Sequence, residues 1–198
     1  MKEHELQHMD EEIRECMACP LSDSRDGAVP GEGPEDARVV FIGEAPGRQE
    51  EKEGRPFVGR AGSILNELLS SIDLARDEVY ITNVVKCRPP DNRDPTAEEI
   101  AECREYLDRE IDRIAPAVIV TLGRFAMQAM FRRYGIEAGS IGEERGTVHR
   151  VERDGRTLTL IPVYHPAAAI YDPKKKDVLL EDFRTLRRIL DEEHRTPA

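Results

Sequence analysis

The feature that most restricts the fold of this chain is one apolar run, residues 117–122 (AVIVTL). A strand with one wet face alternates apolar and polar residues. A strand that is apolar throughout is buried on both faces, which is the signature of a parallel sheet covered by helices on each side.

The surrounding pattern agrees. Residues 38–43 (RVVFIG) and 79–86 (VYITNVVK) read as two further strands. Helical periodicity appears at 61–72, where Ile64, Leu65, Leu68 and Leu69 share a face, and again at 97–114. Thr96 with Glu99 three residues on is a capping signature for the second of these. Gly123 opens a helix reaching about 134. Residues 147–151 and 157–164 then form a hairpin around Asp154 and Gly155, and a last helix spans about 178–192. Strand–helix alternation of this kind predicts an α/β fold, a three-layer αβα sandwich around a mostly parallel, four-stranded sheet. At 198 residues the chain makes one domain, with residues 1–36 as an N-terminal segment and 193–198 as a flexible tail.

In open α/β sheets, ligands sit beyond the carboxyl ends of the strands. Three loops leave such ends: Gly43 to Gly47 (GEAPG), Lys86 to Pro90 (KCRPP) and His165 to Ala169 (HPAAA). One site built from all three is the expectation. The glycines let backbone N–H groups approach a ligand, and Glu44 adds a carboxylate. Neither the dinucleotide fingerprint nor the P-loop is present. Asn83 is an amide among β-branched neighbours (Ile81, Thr82, Val84, Val85), so if buried it needs partners, whether a neighbouring loop or a ligand. His165, before Pro166, reads alone as a core histidine or as a site residue.

Four cysteines complete the inventory: Cys16, Cys19, Cys87 and Cys103. The Cys16-x-x-Cys19 spacing lets two thiolates converge on one centre. Four thiolates fit either a tetrahedral zinc or one iron–sulfur cluster, and spacing does not separate the two. No stretch approaches a membrane span or an export signal, so the expected setting is the cytoplasm, where disulfides are rare.

Charge is the one feature that points away from nucleic acid. The net value is −11, whereas DNA binding requires Lys and Arg to neutralise phosphates. The acid is concentrated in residues 1–53. Residues 54–93 carry Arg55, Arg60, Arg76, Lys86, Arg88 and Arg93, and a second basic spot is Lys174, Lys175 and Lys176. A DNA footprint here is local.

Taken in order, CxxC, GEAPG, GRPFVG, TNVVKCRPP and HP resemble the family 4 uracil-DNA glycosylases over about residues 16–169. The resemblance implies hydrolysis of the N-glycosidic bond of uracil in DNA, the first step of base excision repair, by a monomer acting on single- or double-stranded DNA. It matches Cys16, Cys19, Cys87 and Cys103 to a structural [4Fe–4S] cluster. It matches Gly43, Glu44 and Ala45 to the loop around uracil and the sugar, and Phe57 to the aromatic that stacks on the flipped base. Asn83 matches the amide that reads the base edge, and His165 the residue beside uracil O2. Glu44 and His165 are the implied catalytic pair.

The chain departs from the family pattern after HP, where Ala167-Ala168-Ala169-Ile170-Tyr171 replaces a bulkier wedge; Ile170 is the expected substitute. An alternative on the same fold is a non-catalytic or covalently trapping uracil-DNA binder, but the His-containing insert of those relatives is missing after Cys87. A zinc-stabilised nucleotide-binding domain is the third reading.

Overall fold

Residues with apolar side chains on both sides of the backbone form the centre of the sheet. In the computed structural model, which describes residues 3–153 and 155–195, β1 (Val39–Gly43), β2 (Tyr80–Asn83) and β3 (Val118–Leu122) are buried at every position. The other two strands are β4 (His149–Arg153) and β5 (Arg156–Val163). Sheet order is β2-β1-β3-β5-β4, with parallel pairing throughout except between β4 and β5. The sheet therefore has five strands, not four: the hairpin adds an antiparallel strand at its edge. Asp154 of the expected turn lies outside the described residues; Gly155 takes the positive φ of 74° that its half of the turn needs.

Nine helices are described: α1 (Glu3–Glu15), α2 (Leu21–Ser24), α3 (Arg48–Glu53), α4 (Arg60–Ser70), α5 (Ala97–Ile114), α6 (Arg124–Tyr134), α7 (Ile141–Glu144), α8 (Ala168–Tyr171) and α9 (Pro173–Arg195). The α5 boundaries follow its cap. The Thr96 hydroxyl accepts from Glu99 N at 3.2 Å, and the Glu99 carboxylate accepts from Thr96 N at 2.8 Å. Alternate residues of β1 enter different layers. Val40 and Ile42 pack with α1, α5 and α6, whereas Val39 and Phe41 pack with α4 and α9. Three layers result, as the periodicity implies.

Both ends of the chain carry helix. The N-terminal segment is structured, because Leu6, Met9 and Ile13 lie on one face of α1 and join the core. The tail expected from residue 193 is helical through Arg195, and 196–198 lie outside the described residues. Inside the chain, α3 follows the loop after β1, and α8 and the start of α9 follow the loop after β5.

Candidate active site

Gly43 and Asn83 are partners in the parallel register of β1 and β2, so the two strand ends meet side by side. Lack of a side chain at 43 is what makes room there. A Cβ would lie 2.4 Å from Asn83 Oδ1 and 2.6 Å from the Phe57 ring. Behind them β5 ends and delivers His165, whose ring stacks with that of Phe57 at 5.6 Å and 29°. Phe57, Asn83 and His165, with Glu44 and Ala45, line one cleft of about 520 Å³ at the carboxyl end of the sheet, and Ile170 and Tyr171 stand along it. Each of the three loops reaches this cleft, through Glu44 and Ala45, through Pro89, and through His165; Phe57 and Asn83 line it as well, and Gly43 lies against both.

The polar groups in the cleft are unusually free. Asn83 is 2% exposed, and its Oδ1 has no hydrogen-bond partner. A buried unmatched acceptor costs on the order of 1–3 kcal/mol, which is tolerable where a ligand donor completes it. His165 is held in one protonation state and one tautomer. Its surroundings push its pKa down to about 4 by burial, against a smaller opposing effect of Glu50, so the ring is neutral near pH 7. Ala167 N donates to Nδ1 at 3.1 Å, making Nδ1 the acceptor and leaving the proton on Nε2. The cleft therefore contains a neutral N–H donor. Burial also raises the Glu44 carboxyl above its ordinary value, Asp94 adding to the shift and Arg124 opposing it.

Two supporting residues escaped sequence reading. Phe57 sits at φ 51°, a left-handed conformation that is strained for an aromatic residue. Arg76 grips that turn, donating to the carbonyls of Phe57 at 3.0 Å and Pro56 at 2.6 Å. Its guanidinium is itself held by Asn66 and Glu32. Gly62 takes the other side, where a Cβ would come within 1.9 Å of the Phe57 carbonyl. Glu50 anchors the next stretch by accepting from Val58 N at 3.1 Å and Gly59 N at 2.8 Å. Arg76 and Glu50 stand in ordinary charged runs, and nothing in their local sequence separates them from solvated neighbours.

Structure also thins the basic footprint. Arg55 and Arg76 pair with Glu32, Arg88 with Glu51, Arg93 with Glu99, Lys86 with Glu110 and Lys176 with Glu67. Lys175 lies over the Tyr164 ring at 3.8 Å. Along the cleft, the exposed Arg48 and Arg60 have no ion-pair partner among the described residues.

On the far side of β2, Cys16, Cys19, Cys87 and Cys103 line a single small cavity together with Ile13 and Tyr106. All four thiols are free, and among the described residues no three His, Cys, Asp or Glu side chains close on a single ion. Arg25 donates to Cys87 Sγ at 2.8 Å and Lys86 N to Cys103 Sγ at 3.3 Å, contacts that stabilise charge on sulfur. Burial pushes the Cys103 thiol up to about 12, so a thiolate there requires a positive centre beside it. The donor set fits a thiolate-ligated metal group.

A mostly parallel sheet whose strand ends converge on one cleft, where a buried unmatched amide, a neutral histidine and a half-buried carboxylate meet, defines a class. The chain belongs to the uracil DNA glycosylase superfamily, whose family model matches residues 30–187. Among curated proteins it is 49% identical to the type-4 uracil-DNA glycosylase of Archaeoglobus fulgidus over 88% of both chains. The type-4 enzyme of Sulfurisphaera tokodaii is 48% identical over 93% of this chain and 84% of its own. That of Saccharolobus solfataricus is 47% identical over 91% and 84%. Within the superfamily, the type-4 uracil-DNA glycosylases are its family.

Proposed function

We propose that this chain hydrolyses the bond between uracil and deoxyribose in DNA, leaving an abasic site and starting base excision repair. The observation that carries the reading is the pairing of an unmatched Asn83 Oδ1 with a neutral His165 bearing its proton on Nε2, in one cleft.

Uracil presents an N3–H donor, an O4 acceptor and an O2 acceptor. Asn83 Oδ1 meets the N3–H and its amide N–H meets O4, whereas cytosine offers the opposite pattern at both positions. Reaching the base at all requires flipping it out of the stack, and the Phe57 ring, packed against Gly43, is the surface it lands on. In the reaction the C1′–N1 bond breaks with its electron pair going to uracil, and the oxygen of water bonds to C1′. His165 Nε2–H, donating to O2, stabilises the departing anion as it forms. Glu44, on the same cleft wall, is the carboxylate for the sugar side, either stabilising its cationic charge or taking the proton of water. Gly43 and Ala45 frame the sugar.

Arg48 and Arg60, free beside the cleft, are the phosphate contacts on either single- or double-stranded DNA. A [4Fe–4S] cluster on Cys16, Cys19, Cys87 and Cys103 ties the N-terminal segment and α5 to the loop that follows Asn83. Zinc is the alternative ligand set. Residues 1–36 and the sheet make one domain, acting as a monomer. No described helix is long and apolar enough to cross a membrane, and free thiols fit the cytoplasm.

The test is incubation of anaerobically purified protein with a uracil-containing oligonucleotide, then alkali. Cleavage at the uracil and not at a matched cytosine is expected. An intact strand after alkali, from a brown and folded protein, overturns the reading.

A further inference from the structure

Lys86 and Glu110 form an ion pair with each side chain only 1% exposed, Nζ lying 2.6 Å from Oε2. Removing two charges from water costs more than such a pair ordinarily returns, and well-packed apolar substitutes are often neutral or stabilising. Stability is therefore a poor explanation for it. The geometry offers another. Lys86 Nζ has three protons and three acceptors: Glu110 Oε2 at 2.6 Å, Thr82 Oγ1 at 2.6 Å and the carbonyl oxygen of Asn83 at 2.9 Å. Glu110 is fixed in turn, accepting from Thr82 Oγ1 at 2.9 Å on one oxygen and from Tyr80 OH and Gly31 N, both at 3.3 Å, on the other. The main chain of residue 83 thus receives a charge-assisted bond from a cation that has no freedom to move.

The side chain of that same residue is the cleft's unmatched amide. An amide that reads a base must be held to a fraction of an ångström, and a strand end has fewer rungs to hold it than a strand centre. β2 ends at Asn83, and beyond it only two backbone bonds, Val84 N to the Gly43 carbonyl at 2.9 Å and Val85 N to that of Glu44 at 3.0 Å, still tie the chain to its neighbour.

We propose that Lys86, locked by Glu110, is a positioning residue that sets the Asn83 amide for base selection, and that the pair serves specificity and not stability. This rests on Asn83 as the base-reading residue. Lys86 also donates its backbone N–H to Cys103 Sγ, and its carbonyl accepts from Val29 N at 2.7 Å. The residue is thus tied at both main-chain groups while its side chain grips the strand end.

The experiment compares Lys86→Met/Glu110→Leu, Tyr80→Phe and Asn83→Asp with the wild type, all cluster-loaded. Visible absorption, thermal melting, DNA affinity, and single-turnover excision from uracil and cytosine oligonucleotides are measured. The double variant should be brown, melt near the wild-type temperature and bind DNA normally. It should excise uracil about 10²-fold more slowly, the cost of a small misplacement, with a reduced uracil-to-cytosine ratio. Tyr80→Phe disturbs the network without touching the Lys86–Asn83 bond and should keep the wild-type rate and ratio.

Wild-type rate and selectivity in the double variant overturn the proposal. So does an insoluble or colourless double variant, which would make the pair a stability element, and so does an equal loss in Tyr80→Phe. If Asn83→Asp itself leaves rate and ratio unchanged, it is the base-reading assignment that fails. A crippled Asn83→Asp beside a normal double variant isolates the failure to Lys86.

Discussion

The two sides of β2 differ in how well their polar groups are matched. Toward the cleft, Asn83 Oδ1 has no partner, His165 offers a free Nε2–H, and Arg48 and Arg60 lack ion pairs among the described residues. Toward α5, every proton of Lys86 Nζ is taken, both Glu110 oxygens are occupied, and Cys87 and Cys103 each accept an N–H bond. Groups that will bind something are left open, and groups that hold them are saturated. Substitutions on the open side, and at the Lys86–Glu110 pair that holds it, should therefore change rate and selectivity at near-constant stability, whereas those at the cysteines should change the fold.

The largest expected effect tests the saturated side. Cys19→Ala should lose soluble yield and visible absorption together, because the proposed cluster loses one of the four cysteines that line its cavity. A colourless Cys19→Ala protein with normal melting and activity would erase the contrast between the two sides.

Next is His165→Ala. Single-turnover excision should fall on the order of 10²–10³-fold while uracil-DNA affinity changes little, since leaving-group charge exists only in the transition state. The same variant carries a pH signature. Folding lowers the His165 pKa from 6.5 to about 4, so protons bind the unfolded chain first and stability falls as pH drops through that window. His165→Ala should lose less stability than wild type between pH 6.5 and 4, measured by denaturant titration.

Asn83→Asp replaces a donor with an acceptor. Leaving one buried polar group unmatched at roughly 1–3 kcal/mol predicts a loss of about tenfold to a hundredfold on uracil, with a narrower gap to cytosine. Equal losses on both bases would assign Asn83 to the support.

Arg76→Ala sharpens the comparison further, because Arg76 is a support residue that serves the open side. Freed from its two carbonyl bonds, the Phe57 turn should relax out of φ 51°, lowering the excision rate by about tenfold, the order expected when a positioning contact is lost. Arg76→Lys, which lacks the fork that spans both carbonyls, should recover only part of it.

The smallest effect is electrostatic. Arg48→Ala/Arg60→Ala should reduce the slope of log affinity against log salt by about two, one for each phosphate contact. Lys176→Ala should leave the slope unchanged, because Glu67 already neutralises that charge.

Legibility in the sequence followed the range of the forces. Strands buried on both faces and the capped α5 announce themselves within a few residues, as does the glycine-rich strand end, whereas Asn83 and His165 stood out only once the motifs were taken together. The α1 helix was missed because Leu6, Met9 and Ile13 are diluted in a run of acids and find their partners only on the sheet. Arg76 and Phe57 are 19 residues apart, and Lys86 and Glu110 are 24 apart. No local pattern marks such pairs. The paired fate of Arg55, Arg88 and Arg93 was hidden for the same reason, so a basic stretch in sequence became a mostly neutralised surface.

The hairpin strand that enlarges the sheet also settles how the sheet ends. An open edge presents unpaired N–H and C=O groups that recruit another chain, and aggregation begins there. One border is β4, only five residues long (HRVER), with three charged side chains along it and two of its positions partly buried. The other border is β2, where Glu32 makes an antiparallel bridge to Ile81, its N–H and carbonyl bonded at 2.9 and 2.8 Å. The first border repels a newcomer and the second already has an occupant. A protein that must stay dispersed at working concentration thus carries its guard against fibre growth in the outline of its sheet.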